Sequence, residues 1–377
     1  MGFCLTKFTK MKKLILSATM LVSVATFAQK DELKTLKKIY AKETISEKDL
    51  EAYKAASDAL QNLATEESDK VYAKFYKVMY PTVVLASKGS KATMQDQMSL
   101  YSPDYIKQYG AVIDETLEFE KKSGKKIYTD ELIQEKAEFK KTLSTLAMSM
   151  NNTKKYKEAS AIFYSLYTFD PKEEGKSLKN AGILAVQAED YKLAQKLYDE
   201  YSKSDYLNNG VTFYAINKAS GSEEEFNSRA DRTQMISLGS HEKPRDVKNV
   251  TNKADVLKML ALLYSQNGEL DNAKTTYSEA RKLAPNDEEL KQGEFQIYSN
   301  AGYALLADEG KIVDEINNSR DNEKKYDELV KKRKDMFLKA IPDFEKAYSI
   351  KQETTIKNLL KTAYEITGQP EKANALK

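Results

Sequence analysis

The stretch Ala254–Pro285, ADVLKMLALLYSQNGELDNAKTTYSEARKLAP, decides the fold. Leu257, Leu260, Ala261 and Tyr264 recur at i, i+3, i+4 and i+7, which gathers them on one face of a helix. Asn267-Gly268 ends that helix, as glycine does at a helix C-terminus. A second apolar face follows with Ala273, Tyr277, Ala280 and Leu283, and Pro285 closes the unit. Two helices this short cannot bury their apolar faces alone, so the pair must stack on neighbouring pairs. Small residues such as Ala261 and Ala273 let helices approach closely, and the aromatic Tyr277 fills the groove toward the next pair.

Outward from this unit the same register returns. Leu143, Leu146, Ala147 and Met150 precede Tyr156, Ala159, Phe163, Leu166 and Pro171. Leu178, Ala181, Gly182 and Ala185 then precede Tyr191, Ala194, Tyr198 and Tyr201. Ala340, Phe344 and Ala347 repeat the second-helix pattern, and Leu360, Tyr364, Gly368 and Ala373 begin a further unit. Leu36, Ile39 and Tyr40, with Ala52, Ala56 and Ala59, give a weaker match. This spacing resembles the tetratricopeptide repeat, whose period is about 34 residues. Leu257 stands where that family usually has Trp and Ala261 where it has Gly. The expected fold is an all-α solenoid of tetratricopeptide-like helical hairpins with an irregular N-terminal helical region. Seven prolines and 14 glycines in 377 residues leave few breaks in such helices.

The N-terminus reads differently. Residues 1–28 hold Lys7, Lys10, Lys12 and Lys13 and no acid, then the apolar run LILSATMLVSVATFA (Leu14–Ala28). A basic start, a short apolar stretch and a small-residue exit predict a secretory signal cleaved near Ala28. The run is shorter than the roughly 20 residues a bilayer-spanning helix needs. Met11 is a second candidate start. Cys4 precedes the apolar run, so it is misplaced for a lipoprotein signal, and no cysteine follows it. The mature chain therefore has no disulfide. Four of the 60 basic residues belong to the signal, so the rest nearly balance the 57 acidic ones. That balance gives no basic footprint for nucleic acid. A periplasmic or secreted protein is expected, and the Lys/Asn/Tyr-rich usage resembles exported proteins of the Bacteroidota.

Between the signal and the repeats the expected organisation is a helical region of degenerate repeats (29–135), with its break at 88–104, then a repeat pair (136–206). An irregular insert (207–250) follows, read as degenerate helices near 208–219 and 223–237 and a polar loop at 238–250. Ser220-Gly221-Ser222 and Leu238-Gly239-Ser240 mark its breaks. The C-terminal repeat region (251–377) carries two long helices, one through GEFQIYSNAGYALLADEGKIVDEINN and one kinked or begun at Pro342, and a terminal capping helix.

Chemistry-bearing patterns are sparse. His241 is the single histidine and sits beside Glu242 and Lys243, so it reads as a solvated loop residue without a visible nucleophile or orienting acid. A metal site would need several His, Cys or clustered carboxylates, and Glu223-Glu224-Glu225 reads as an acidic helix start. Gly175-Lys176-Ser177 has Asp170 where a phosphate loop needs glycine. Ser240 and Lys243 match a serine–lysine pair without its companion motifs. No catalytic residue, metal or cofactor is expected.

The resemblance implies a concave surface lined by the first helix of each pair, where the family commonly holds a peptide or a partner helix. By spacing, its residues are Lys141, Ser144, Met148 and Asn151, then Lys176, Lys179, Ile183 and Val186, then Asp255, Lys258, Leu262 and Ser265. The family's Lys/Asn clamp for a terminal carboxylate finds Lys179 and Asn180 in one unit, but Ser144 and Met148 in the unit before. The expected function is a non-catalytic scaffold in the bacterial envelope that binds a protein or peptide, with no nucleic acid and no membrane-integral segment after signal cleavage. One alternative is an envelope enzyme or ligand-binding subunit built from carboxylate, Tyr and Lys groups. Another is a self-assembling protein whose last helix (354–377) packs on a second copy.

Overall fold

The structure is a computed structural model that describes residues 27–93, 95–96, 99–226 and 228–376. The expected export signal lies outside the described residues, apart from its last two positions. No helix among the described residues is long and apolar enough to cross a membrane. The chain forms two compact units, and the boundary between them is Ala188/Glu189.

The first unit contains α1 (Phe27–Tyr40), α2 (Glu47–Leu63), α3 (Glu67–Lys88), α4 (Pro103–Ser123), α5 (Thr129–Asn152), α6 (Tyr156–Phe169) and α7 (Gly175–Gln187). Short 3-10 turns at Gly89–Lys91 and Ser99–Tyr101 occupy the break read at 88–104. Helices α1, α2 and α3 pack on one another, α4 packs on α3, and α6 packs on α4, α5 and α7. Tyr40, Tyr53, Phe75, Tyr76 and Tyr128 form a buried aromatic cluster. The rings of Phe75 and Tyr128 stack with centroids 4.8 Å apart, and the Tyr53 hydroxyl donates to the Tyr76 carbonyl at 2.8 Å. Burial holds the Tyr53 and Tyr76 phenols well above their usual range, so they remain neutral donors.

Two buried carboxylates organise the polar interior of this unit. Glu120 on α4 is fully buried and accepts from the Tyr72 hydroxyl at 3.1 Å, the Tyr128 amide at 3.0 Å and the Thr129 amide and hydroxyl at 2.9 and 2.5 Å. It thus caps the first turn of α5 from another helix, where Tyr128 supplies no side-chain cap. Asp170, at the end of α6, takes the ammonium groups of Lys136 and Lys140 at 3.0 Å each. Burial pushes its carboxyl up, but the Lys136 hydrogen bond and the Lys140 charge outweigh that and leave it below the usual range.

The second unit begins with α8 (Tyr191–Lys203) and the short α9 (Asp205–Asn209). Next come β1 (Val211–Asn217), β2 (Glu223–Phe226), α10 (Arg229–Ser237) and β3 (His241–Lys248). Then follow α11 (Lys253–Gln266), α12 (Leu270–Leu283), α13 (Glu288–Leu305), α14 (Glu309–Asn317), α15 (Glu323–Ile350), α16 (Thr354–Thr367) and α17 (Pro370–Ala375). The strands form an antiparallel sheet in the order β2-β1-β3, with Ala215 opposite Glu224 and Asn217 opposite His241. Arg232 of α10 is buried against it, reaching the Arg245 carbonyl at 3.0 Å and the Asp246 carboxylate at 2.5 Å with its guanidinium over Phe213. The helices share a core in which Phe295, Phe337, Phe344, Ile356 and Leu360 are buried together. Gly293 and Gly302 of α13 admit the aromatics of other helices: a Cβ at either would collide with Tyr277 of α12 or Phe344 of α15.

Three sequence expectations are corrected. Residues 207–250 hold three strands and one nine-residue helix, because the β-branched and aromatic run VTFYAIN pairs on both edges. The single long helix expected across 293–318 is two, α13 and α14, broken at 306–308. Pro342 does not begin α15, which runs through it with Ile341, Phe344 and Ala347 anchoring that stretch in the core. The all-helical character otherwise holds, with the small sheet as an insertion.

Candidate functional site

The first helix of each pair sets the candidate binding rows. On α5, Leu132, Phe139, Leu143 and Ala147 face the core, which turns Lys141, Met148 and Asn151 outward and leaves Ser144 half-buried. Met148 is 56% exposed, and Ile133 and Leu146 of the same helix are exposed as well. On α7, Leu178, Ala181, Leu184 and Ala185 are buried. Lys179 and Ile183 are exposed, and Lys176 and Val186 half-buried. Both helices pack on α6, so these eight residues belong to one compact unit. The remaining four lie on α11 in the other unit. There Leu262 is 45% exposed and Asp255 is exposed, while Lys258 and Ser265 are half-buried. Lys258 is engaged already, 2.9 Å from Glu289 and 3.8 Å from Asp255.

A second constellation was not legible in the sequence. His241 is 3% exposed and starts β3, in contrast to the solvated loop expected. Its Nε2 lies 2.8 Å from Glu224 Oε2 and its Nδ1 2.9 Å from Ser240 Oγ. The ring edge meets Phe226, with centroids 5.1 Å apart. The Asn217 side-chain amide donates to Glu224 Oε1 at 2.8 Å, and the Ser240 hydroxyl donates to the Met235 carbonyl at 2.9 Å. The His241 and Asn217 hydrogen bonds hold the Glu224 carboxyl below its usual range. Serine, histidine and glutamate are also the residue types of acyl-transfer triads. Here, however, the Ser240 hydroxyl also lies within hydrogen-bond distance of the Met235 carbonyl, and the ring is buried. These contacts link the two edge strands of the sheet through His241 and Glu224. No group of three or more His, Cys, Asp or Glu among the described residues is arranged to hold a metal ion.

The turns that precede four of the helices decide what kind of repeat carries the rows. Lys154, Glu189, Gly268 and Gly368 all have positive φ, at 59°, 58°, 82° and 77°. Each stands two residues before a helix start, at Tyr156, Tyr191, Leu270 and Pro370. Each is followed at a constant offset by a buried alanine: Ala159, Ala194, Ala273 and Ala373. In the first three units a buried aromatic comes next, at Phe163, Tyr198 and Tyr277. The fold is tetratricopeptide-like. No family model and no curated protein matches the chain. Among solved structures it is similar to a tetratricopeptide repeat protein from Parabacteroides merdae ATCC 43184, at 15% identity and a TM-score of 0.24 over 90% of this chain and 99% of that one. It is also similar to a monomeric IFIT1 mutant with Gppp-AAAA, at 12% identity and a TM-score of 0.23 over 98% of this chain and 72% of that one. Both scores are low, and the helix-pair register itself fixes the repeat.

That tetratricopeptide-like register yields a stability prediction. Lys154 and Glu189 are exposed side chains held in the left-handed region that Gly268 and Gly368 occupy without strain. Lys154→Gly and Glu189→Gly should each stabilise the chain by about 0.5–1 kcal/mol, relief of strain exceeding the added chain entropy. Urea unfolding followed by circular dichroism checks this, and a lowered midpoint in both variants would contradict the turn assignment.

Proposed function

We propose that the chain is an exported, non-catalytic scaffold of the bacterial envelope that binds a protein segment on the solvent rows of α5 and α7. The observation that carries this reading is the exposure of Met148 and Ile183, at 56% and 37%, together with Leu146 beside Met148, on helices whose Leu132, Phe139, Leu143, Leu178 and Leu184 are buried. Lys141 and Lys179 flank them. Neither Phe139–Asn152 nor Gly175–Gln187 contains an acidic residue. A surface with apolar knobs and exposed cations complements a partner segment that alternates apolar and acidic side chains. Tetratricopeptide-like solenoids generally act by shape, which supports a scaffold reading. Placement in the envelope rests on the sequence pattern of residues 1–28.

The test is site-specific photo-crosslinking in the native cells, with the probe at position 148 or 183 and a control probe at the exposed Glu158 of α6. The expected result is one partner captured from both row positions and not from the control. The double variant Met148→Glu, Ile183→Glu should reduce that capture by about tenfold or more, as loss of central apolar contacts does. Equal labelling from all three positions would overturn the docking surface. An N-terminus mapped near Gln29 in the mature protein would agree with export, whereas retention of residues 1–28 in a cytoplasmic fraction would contradict it.

A further inference from the structure

The solvent face of α5 is longer than the row that spacing assigned to it. Ile133, Ala137, Lys141, Ser144, Met148 and Asn151 succeed one another every three or four residues, one to each helical turn. The helix is unbroken from Thr129 to Asn152, so all six lie on one side of it. Ser144 is half-buried and the other five are exposed. The two large apolar members stand near the ends of the face, Ile133 at 55% exposure and Met148 at 56%. They are 15 residues apart, roughly 22 Å along the axis. Lys141 is the one charged side chain between them on this face. Asp130 precedes the face by one turn, at the helix N-terminus, where an acid is favoured. Leu146 does not belong to it, since it lies about 160° round the helix from Met148. On the opposite side Leu132, Phe139, Leu143 and Ala147 are buried, and Lys136 and Lys140 reach Asp170 at 3.0 Å each. Packing and ion pairs thus hold α5 in place, and its solvent face is a fixed ridge.

The chemistry of this ridge selects the conformation of what it binds. Its polar side chains are Lys141, Ser144 and Asn151, and the backbone of α5 is spent on its own helical bonds. An extended segment laid along it would turn main-chain N–H and C=O groups onto Ile133, Ala137 and Met148, which can neither donate nor accept. Those groups would lose water without gaining a partner. A helix satisfies its main chain internally and offers side chains alone. We propose that α5 is a docking ridge for an acidic amphipathic α-helix of a partner protein. That helix runs along α5 for about four turns, places apolar side chains over Ile133 and Met148, and sets a carboxylate against Lys141. The proposal rests on the scaffold reading above and specifies the shape and charge of the segment that α5 holds.

The experiment places an aromatic photo-crosslinking residue, itself apolar, at position 133 or 148 of the full chain in its native cells. Mass spectrometry of the captured partner then locates the residue joined to each probe. Two helices side by side rise equally per residue, so the two crosslinked partner residues should lie about 15 positions apart. An extended segment would cover the same distance in about seven. Lys141→Glu should lower the yield from position 148 by about tenfold or more, because it sets like charges against each other. Lys157→Glu, on the exposed surface of α6, should leave that yield unchanged. Circular dichroism confirms that both variants keep the helical fold. A separation near seven, capture from 148 that 133 does not share, or a yield indifferent to Lys141→Glu would each overturn the ridge and leave the scaffold reading standing. No capture from 133, 148 or 183 would remove both.

Discussion

Gly110→Ala should lower the unfolding midpoint of the first unit by far more than an ordinary helix substitution does. Gly110 lies inside α4, where alanine by itself would favour the helix by about 1 kcal/mol. The site reverses that sign. A Cβ built on Gly110 would collide with the carbonyl oxygen of Phe169, and the other nearest atoms are also main chain. No rotamer change can relieve such a contact. The crossing of α4 with α6 must open instead, although the Tyr109, Phe139 and Phe169 rings around it are buried and interlocked. Overpacking of this kind costs about 3 kcal/mol, a fall of roughly 6–12 °C in the midpoint of a unit of this size. Gly310→Ala is the matched control, since its Cβ would meet nothing within 4 Å in α14. That variant should gain about 1 kcal/mol. The chain has no tryptophan, so the midpoints are read by far-ultraviolet circular dichroism. Equal midpoints for the two variants would mean that α4 and α6 do not cross at Gly110.

The repeat was legible because its determinants are local. Leu257, Ala261, Ala273 and Tyr277 lie within one unit, and their fixed offsets recur at Leu143 and Leu178. Burial then follows from the helical period. The insert departs from the all-helical expectation because its strand signal is short and local. The run VTFYAIN, the turn Ser220-Gly221-Ser222 and the short EEEF together have a hairpin's composition, yet the acidic run suggested a helix start. The burial of His241 is not legible in the sequence for a different reason. Its partner Glu224 lies 17 residues away and arrives only through the sheet register, while its sequence neighbours Glu242 and Lys243 are charged and exposed. The binding rows stand between these cases. Period alone located Met148 and Ile183 on outward faces, but the engagement of Lys258 by Glu289 of a neighbouring helix could not be read from spacing.

Glu120 shows how far tertiary placement can depart from sequence appearance, and its removal should be the second large effect. In the sequence it stands beside KKSGKK and looks like one more solvated charge. In the fold it is fully buried, and four donors converge on it: the Tyr72 hydroxyl, the Tyr128 and Thr129 amides and the Thr129 hydroxyl. Two of these are orphan amides of the α5 N-terminus, where a negative charge is also favoured by the helix dipole. Glu120→Ala leaves those donors buried without an acceptor and should destabilise the unit by about 3 kcal/mol. Glu120→Gln keeps one acceptor oxygen but turns an amide donor toward the remaining donors and removes the charge, so an intermediate loss of about 1–2 kcal/mol is expected. Glu118, two residues earlier, pairs only with Lys122 on the surface, and Glu118→Ala should leave the midpoint where it was. Hydrogen exchange locates the effect: the amides of Tyr128 and Thr129 should lose protection in Glu120→Ala before those of α6 do. If the alanine variant unfolds with the native midpoint and those amides stay protected, Glu120 does not cap α5, and the first turn must draw its acceptor from elsewhere.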